Sequence, residues 1–153
     1  MNLDTYQMKI IYDPNALEVV GAEGGAGVSN GKIGDTVIPI DMWRFSPLGV
    51  PGTVFFLGNL PGVSGVSGDG CLAHINFRVK DGFSGRTEIK FEEGKLFDNS
   101  LPVKQIEIEE WVDGYVDIVK GETAVISIVT PTEVKAGETF VVDVIIEKKL
   151  IRR

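Results

Sequence analysis

Apolar residues recur at every second position along much of this chain, and that period limits the possible folds more than any other feature. Successive side chains of a β-strand point to opposite faces of its sheet, so a period of two predicts strands with one face on a core. In the segment CLAHINFRVK, the predicted inward face carries Cys71, Ala73, Ile75, Phe77 and Val79. Few windows show the 3.6-residue period of a helix, and the pattern therefore predicts an all-β protein.

The first predicted strand, from Leu3 to Tyr12, divides its side chains in the same way. Its apolar side carries Tyr6, Met8 and Ile10. Its polar side carries Thr5, Gln7 and Lys9. A strand of this kind covers a core with one face and meets solvent with the other.

Turns rich in glycine and proline separate the predicted strands; the chain contains 19 glycines and 7 prolines. Glycine supplies positive φ angles and proline fixes φ near −65°, so both residues favour tight turns. About nine short strands separated by such turns predict a β-sandwich of the jelly-roll type. A length of 153 residues fits one domain with a sizeable core.

The chain is acidic, with a net charge of −7. Nucleic acids and anionic membranes attract clustered Lys and Arg, so we expect neither as a partner. No apolar run approaches the roughly 20 residues of a membrane helix. The segment MNLDTYQMKI lacks the basic and apolar regions of a signal peptide. We expect any secretion signal of the parent protein to lie outside this chain.

The sequence offers no set of residues suited to catalysis or to metal binding. His74 is the only histidine, and no Gly-x-Ser-x-Gly elbow accompanies it. Cys71 is the only cysteine and is predicted to be a buried free thiol. Glu107 and Glu109 alternate with isoleucines, which is typical of a solvated strand face. We therefore predict no catalytic residue and no metal ligand.

Two aromatic residues, Trp43 and Phe45, leave a choice between packing and binding. Exposed aromatic rings on a jelly roll can stack on sugar rings, so these residues are the candidate site of a carbohydrate-binding module. The alternative is that they pack into the core from a loop. Trp111, which follows Glu109 and Glu110 directly, is predicted to lie in the core.

Four segments resemble a cohesin module and occur in that family's order. They are NLDTYQMKIIYDPNALEVV, GVSGDGCLAHINFRVK, GRTEIKFEEGKLFDNSL and DGYVDIV. Together they cover most of residues 2–119. The resemblance implies a nine-stranded jelly-roll sandwich that recognises another protein and has no catalytic activity. It also implies an extracellular or cell-surface setting within a larger scaffold protein.

Cohesins bind dockerins, which are small calcium-loaded helical modules, through one flat face of the sandwich. The resemblance implies that the partner-binding residues here are Thr5, Gln7, Lys9, Phe56, Gly58, Asn59, Asn99 and Leu101. The calcium would belong to the dockerin, and we expect no cofactor on this chain. Lys9, together with His74 and Arg78, is expected to make the face more positive than in cellulosomal cohesins. The alternatives are a carbohydrate-binding or adhesive module and a structural stalk repeat.

The C-terminal segment AVISIVTPTEVKAGETFVVDVII resembles the first two strands of a cohesin, although here it follows the last one. We therefore expect a core module at 1–120 and a terminal hairpin at 121–153, permuted or completing a neighbouring molecule. In cohesins the first and last strands are parallel, and a parallel return needs a crossover of about a dozen residues. The segment KGET is too short, so we expect a strand-swapped homodimer or a head-to-tail chain.

Overall fold

The structure is a computed structural model that describes residues 2–62, 64–118, 123–126 and 133–146. These residues form thirteen strands and no helix, and the strands build two antiparallel sheets. The all-β sandwich predicted from the alternation is therefore confirmed. More strands occur than the nine expected, because several of them are pieces of only two to four residues.

The larger sheet has eight strands. They are β1 (Leu3–Tyr12), β5 (Met42–Phe45), β6 (Thr53–Asn59), β8 (Gly85–Asp98), β9 (Gln105–Ile106), β10 (Gly114–Ile118), β11 (Thr123–Ile126) and β12 (Glu133–Lys135). Their order across the sheet is β12, β11, β10, β8, β1, β6 and β5, and β9 pairs with one end of β8. The long strands β1 and β8 therefore lie at its centre.

The smaller sheet has five strands. They are β2 (Leu17–Val19), β3 (Val28–Ile33), β4 (Thr36–Ile38), β7 (Gly70–Val79) and β13 (Thr139–Ile146). Their order is β13, β7, β3 and β4, and β2 pairs with β7 next to β3. Since β7 contacts three other strands, it organises this sheet.

The core lies between the sheets and contains the side chains that the alternation predicts. Strand β1 contributes Tyr6, Met8 and Ile10, all buried. Strand β7 contributes Ala73, Ile75, Phe77 and Val79, all buried. Burying each large apolar side chain contributes about 1.5–3 kcal/mol to folding, so this layer dominates the stability of the sandwich.

The prediction for Cys71 is wrong, because a β-bulge changes the alternation at the start of β7. The pairing of β7 with β13 shifts by one residue between Ala73 and Cys71. A bulge leaves one residue without a cross-strand partner and re-aims its side chain. Leu72 is consequently buried at 1% exposure, whereas Cys71 is half-buried and its Sγ lies 3.1 Å from the carbonyl oxygen of Ala73.

The terminal strands pair within the same chain. Strand β11 runs antiparallel to β10, with Asp117 opposite Val125. Strand β13 pairs antiparallel with β7, from Thr139 opposite Arg78 to Ile146 opposite Gly70. An antiparallel neighbour needs only a short connection, so the four residues 119–122 suffice where a parallel return would not. Residues 121–122, 127–132 and 147–153 of the predicted terminal hairpin lie outside the described residues.

The segment that contains Glu107 and Glu109 forms less strand than the alternation predicts. Only Gln105–Ile106 is a strand there, and residues 107–113 have no regular structure. Glu107 and Glu109 are exposed and Ile108 is half-buried, so the predicted solvation of the acids is confirmed without the predicted strand.

Candidate functional site

Four neighbouring strands of the larger sheet present one continuous surface to solvent. Along β5, β6, β1 and β8 the side chains that alternate with the core residues point outward, and the strand registers align them in three rows. We call this surface the central outer face. It consists of Arg44, Phe55, Lys9 and Glu93 in the first row, Met42, Leu57, Gln7 and Lys95 in the second, and Asn59, Thr5 and Phe97 in the third.

The first row is built around a half-buried aromatic ring with a cation on either side. The Nζ atom of Lys9 lies 5.9 Å from the ring centroid of Phe55, and the Cζ atom of Arg44 lies 5.3 Å from the same centroid. Lys9 also forms an ion pair with Glu93 at 3.4 Å. A cation within about 6 Å of an aromatic ring is attracted to it, so these contacts restrain both long side chains.

The second row places apolar groups beside polar ones. Met42 is exposed and Leu57 is half-buried, and these two residues lie opposite each other on β5 and β6. Gln7 is half-buried, and Lys95 is exposed opposite it on β8. The row therefore offers an apolar contact at one end and an amide and an ammonium group at the other.

In the third row a hydrogen-bond chain fixes the orientation of Asn59. The backbone N–H and the Nδ2 group of Asn59 donate to Oδ2 of Asp41, at 2.6 and 3.2 Å. The Oγ1 group of Thr5 donates to Oδ1 of Asn59 at 2.9 Å. Because Asp41 holds the amide from one side and Thr5 from the other, its orientation is set before any partner arrives.

The loop of residues 99–104, which joins β8 to β9, lies beside the third row. One carboxylate oxygen of Asp98, Oδ1, accepts hydrogen bonds from the backbone N–H groups of Lys104 and Ser100, both at 3.0 Å. These hydrogen bonds, led by that from Lys104, lower the pKa of Asp98, because they stabilise the ionised carboxylate. The clamped loop presents Leu101, which is 96% exposed, and Val103, which is 57% exposed.

The structure brings together most of the residues that the cohesin resemblance indicates. Thr5, Gln7 and Lys9 point outward from β1, and Asn59 is exposed beside Thr5. Asn99 and Leu101 belong to the loop that follows Asp98, whose own position is opposite Leu3 at the start of β1. Four of these six residues therefore lie on the central outer face, and Asn99 and Leu101 lie in the loop next to it. Their contact with a partner stays a prediction.

The prediction that Phe56 faces a partner is wrong. Phe56 is completely buried and packs edge to face on Tyr6, with ring centroids 5.9 Å apart. The outward residues of β6 are its neighbours Phe55 and Leu57, which the sequence analysis missed. The sequence contains no clear sign of this, because TVFFLGN is apolar on both sides and the resemblance indicated residues of both parities, Phe56 and Gly58 on one side and Asn59 on the other.

Gly58 is also buried, and its position explains why no side chain occurs there. A Cβ atom on Gly58 would lie 2.0 Å from the carbonyl oxygen of Pro39 and 2.8 Å from Cε1 of Tyr6. The hydroxyl of Tyr6 donates to that same carbonyl oxygen at 2.7 Å. Gly58 therefore permits a close approach of two chain segments and offers no side chain to a partner.

The expectation that His74 and Arg78 add charge to the binding face is wrong. Both residues lie on β7, which belongs to the smaller sheet. Arg78 forms an ion pair with Glu18 at 3.1 Å and donates through Nε to the carbonyl oxygen of Gly137. Period two assigns side chains to opposite faces of a strand, but it does not say to which sheet that strand belongs.

The aromatic pair for which the sequence left a choice between packing and carbohydrate binding is a packing contact. Trp43 is 4% exposed, and its Nε1 group donates to the carbonyl oxygen of Gly25 at 2.6 Å. The half-buried ring of Phe45 stands edge-on to it, with centroids 5.5 Å apart. A sugar ring needs an exposed aromatic face, so the structure contradicts the carbohydrate alternative for Trp43 and agrees with the alternative of core packing.

Trp111 differs from its prediction in the opposite direction, because it is 41% exposed. Its ring lies 4.9 Å from that of Phe91, at the part of β8 left between β9 and β10. Trp111 lies in residues 107–113, which form no strand, and its assignment to the core is wrong.

An open cleft of about 580 Å³ lies at the opposite end of β1 from the 99–104 loop. It is lined by Ile11, Tyr12, Asp13, Arg86, Thr87, Glu88 and Lys90. The hydroxyl groups of Tyr12 and Thr87 are buried and have no hydrogen-bond partner among the described residues. Burial raises the pKa of Tyr12. Since these oxygens have almost no accessible surface and Arg86 is paired with Asp117, the cleft offers little to a ligand.

Within the described part of the chain, no helix is long and apolar enough to cross a membrane. Among the same residues, no group of three or more His, Cys, Asp or Glu side chains is arranged to hold a metal ion.

A family model of the cohesin domain matches residues 2–114, which is more than half of the chain. Comparisons with curated proteins and with solved structures found no match. The matched residues contain β1 to β9 and therefore the whole central outer face and the 99–104 loop. Cohesin domains are non-catalytic modules for protein–protein recognition, and they typically bind dockerins. With its two antiparallel sheets and this match, the chain belongs to the cohesin domain family.

Proposed function

We propose that this chain binds a dockerin-type module through its central outer face and the 99–104 loop. The observation that carries the proposal is the composition of that surface. Apolar atoms of Phe55, Leu57 and Met42 lie in its first two rows, and hydrogen-bonding groups lie around them. Protein interfaces commonly combine an apolar centre with a polar rim. The exposed Leu101 adds an apolar group that can enter a pocket of a partner.

Order in the free protein supports the same proposal. Asp41 and Thr5 hold the amide of Asn59, and Asp98 holds the backbone of the loop. Ordering a side chain during binding costs about 0.5–1.5 kcal/mol, so groups that are already fixed bind with a smaller entropic penalty. A sheet surface of this kind recognises a partner without rearranging its own backbone.

We assign any calcium in the complex to the dockerin, and the setting to the outside of the cell within a larger scaffold or surface protein. Family membership supports both assignments. Antibody labelling of intact host cells tests the setting, because a module outside the cell is labelled without permeabilisation. Labelling only after permeabilisation would contradict it.

Binding to calcium-loaded dockerin modules is expected, and Leu101→Ala and Gln7→Ala are each expected to weaken it about tenfold. Tenfold corresponds to about 1.4 kcal/mol, which is typical for loss of one well-placed interface contact. Isothermal titration calorimetry of the chain against a panel of dockerins measures the change. Chelation of calcium is expected to abolish the heat signal, since it unfolds the partner's metal site and not this chain.

Val37→Ala is the matched control for Leu101→Ala. Val37 is an exposed aliphatic residue on β4 of the smaller sheet, so its truncation is expected to leave affinity unchanged. Equal losses for Val37→Ala and Leu101→Ala would place the binding surface elsewhere. If no dockerin in the panel binds, the stalk-repeat alternative is favoured.

The terminal strands bear on the oligomeric state. Exchange of β13 between two copies would make the same contact with β7 across molecules, giving the strand-swapped dimer or head-to-tail chain that the sequence suggests. Because β13 pairs with β7 of its own chain, we expect light scattering after size exclusion to give 16.6 kDa at every concentration. A mass near twice that value, or a ladder of larger masses, would favour exchange.

A further inference from the structure

We propose that the partner surface facing the first two rows is acidic, and that Arg44 and Lys95 select it. This inference rests on the proposed function and specifies the chemistry of the partner. The whole chain carries a net charge of −7. In contrast, the eight side chains of the first two rows include three cations, Lys9, Arg44 and Lys95, and one anion, Glu93. The sign of the charge on this surface is therefore opposite to that of the molecule.

The cations differ in what already neutralises them. Lys9 is paired with Glu93 at 3.4 Å. Arg44 lies over the ring of Phe55, and its Nη1 group donates to the carbonyl oxygen of the neighbouring Phe45 at 2.9 Å. It forms no ion pair with a carboxylate among the described residues. Lys95 likewise forms no ion pair within that part of the chain, and it is exposed. Arg44 and Lys95 are thus the two positive charges on the face that are open to an acidic group from outside.

Their separation sets the spacing of the acids on the partner. Arg44 lies on β5 and Lys95 on β8, with β6 and β1 between them. Adjacent strands are about 4.8 Å apart, so three spacings amount to about 14 Å, and Lys95 lies one row, or about 7 Å, further along the strands. The two positions are therefore about 16 Å apart. An acidic partner therefore needs carboxylates at two places separated by roughly that distance, one on each side of the apolar contact at Phe55 and Leu57.

Both positions can pair with a carboxylate of a partner. A guanidinium group can bind a carboxylate through two parallel hydrogen bonds, and the Nε and Nη2 groups of Arg44 donate to no acceptor within the described residues. Complementary charges across an interface mainly raise the association rate and exclude wrong partners. Because the molecule as a whole is acidic and this face carries a positive charge, the two cations orient the encounter with an acidic partner as well as stabilise it.

The test uses a panel of calcium-loaded dockerin modules that span acidic, neutral and basic net charge. We expect the unmodified chain to prefer the acidic members and to associate with them at least tenfold more slowly at 300 mM than at 50 mM salt. The double variant Arg44→Glu/Lys95→Glu is expected to lose at least tenfold in affinity for acidic members and to gain affinity for basic ones. Stopped-flow fluorescence gives the rates and calorimetry gives the affinities.

The matched control is Lys32→Glu/Lys80→Glu, which changes the net charge by the same amount away from the face. Lys32 lies on β3, and Lys80 directly follows β7; both strands belong to the smaller sheet. Equal losses in both double variants would overturn the inference, because the effect would then follow the total charge. A preference of the unmodified chain for neutral or basic members would also overturn it while leaving dockerin binding intact. Absence of binding to every member would overturn both proposals.

Discussion

Phe56→Ala is expected to lower the free energy of unfolding by about 3–5 kcal/mol, which is the usual cost of truncating a buried phenylalanine. Phe56 is fully buried on β6 and packs against Tyr6 from the neighbouring strand. Its loss removes apolar contact and leaves a cavity that the two sheets cannot close. Urea denaturation followed by circular dichroism measures the change, and the folded fraction of the variant is expected to bind dockerin with unchanged affinity.

Phe55→Ala is the matched variant, one residue away on the opposite face of β6. We expect it to change stability by less than about 1 kcal/mol, as is usual for surface positions. It is expected to weaken partner binding at least tenfold, because the ring supports Lys9 and Arg44. If instead Phe55→Ala is unstable and Phe56→Ala fails to bind, then Phe55 faces the core and Phe56 faces solvent, which contradicts the structure of β6.

Gly58→Ala is expected to cost about 3 kcal/mol or to prevent folding, although it adds only one methyl group. The new Cβ atom would meet the carbonyl oxygen of Pro39 at 2.0 Å, and a backbone atom cannot rotate away as a side chain can. Overpacking of this kind usually costs 1–3 kcal/mol, and here it also displaces the acceptor of the Tyr6 hydroxyl. Soluble yield and thermal unfolding provide the measurement.

Gly34→Ala is the control for Gly58→Ala. Gly34 has a φ of +58°, and a Cβ atom there meets nothing within 4 Å. Its substitution therefore tests backbone strain without a collision, and about 1–2 kcal/mol is expected for an alanine in the left-handed region. If Gly58→Ala proves as mild as Gly34→Ala, then β6 and Pro39 are further apart than the structure places them.

The alternation in the sequence identified the strands that are apolar on one side only. Strands β1 and the end of β7 were predicted correctly down to the inward residues, because their two faces differ in polarity. Strand β6 was not, because TVFFLGN is apolar on both sides: Val54 and Phe56 enter the core while Phe55 and Leu57 lie on the central outer face. An apolar residue that serves recognition has the same composition as one that serves packing, so the pattern alone could not distinguish the two.

The alternation also could not predict features that depend on contacts between distant parts of the chain. The bulge at Leu72 arises from pairing with β13, which lies about seventy residues away in sequence. The exposure of Trp111 and the burial of Trp43 depend on which loops cover them. Strand β11 runs antiparallel to its neighbour β10. The side-chain alternation of a strand is the same in parallel and antiparallel pairs, so the sequence pattern could not predict this direction.

The alternation of β1 and β6 has a consequence for how this module can evolve. Residues 5, 7, 9, 55 and 57 face outward and residues 6, 8, 10, 54 and 56 face inward, so each strand carries two interleaved sets of positions. Substitutions in one set leave the other almost untouched, because adjacent side chains lie on opposite sides of the sheet. A lineage can therefore exchange partners through single substitutions at odd-numbered positions without first acquiring extra stability, and duplicated copies of the module can diverge in specificity while keeping one common interior.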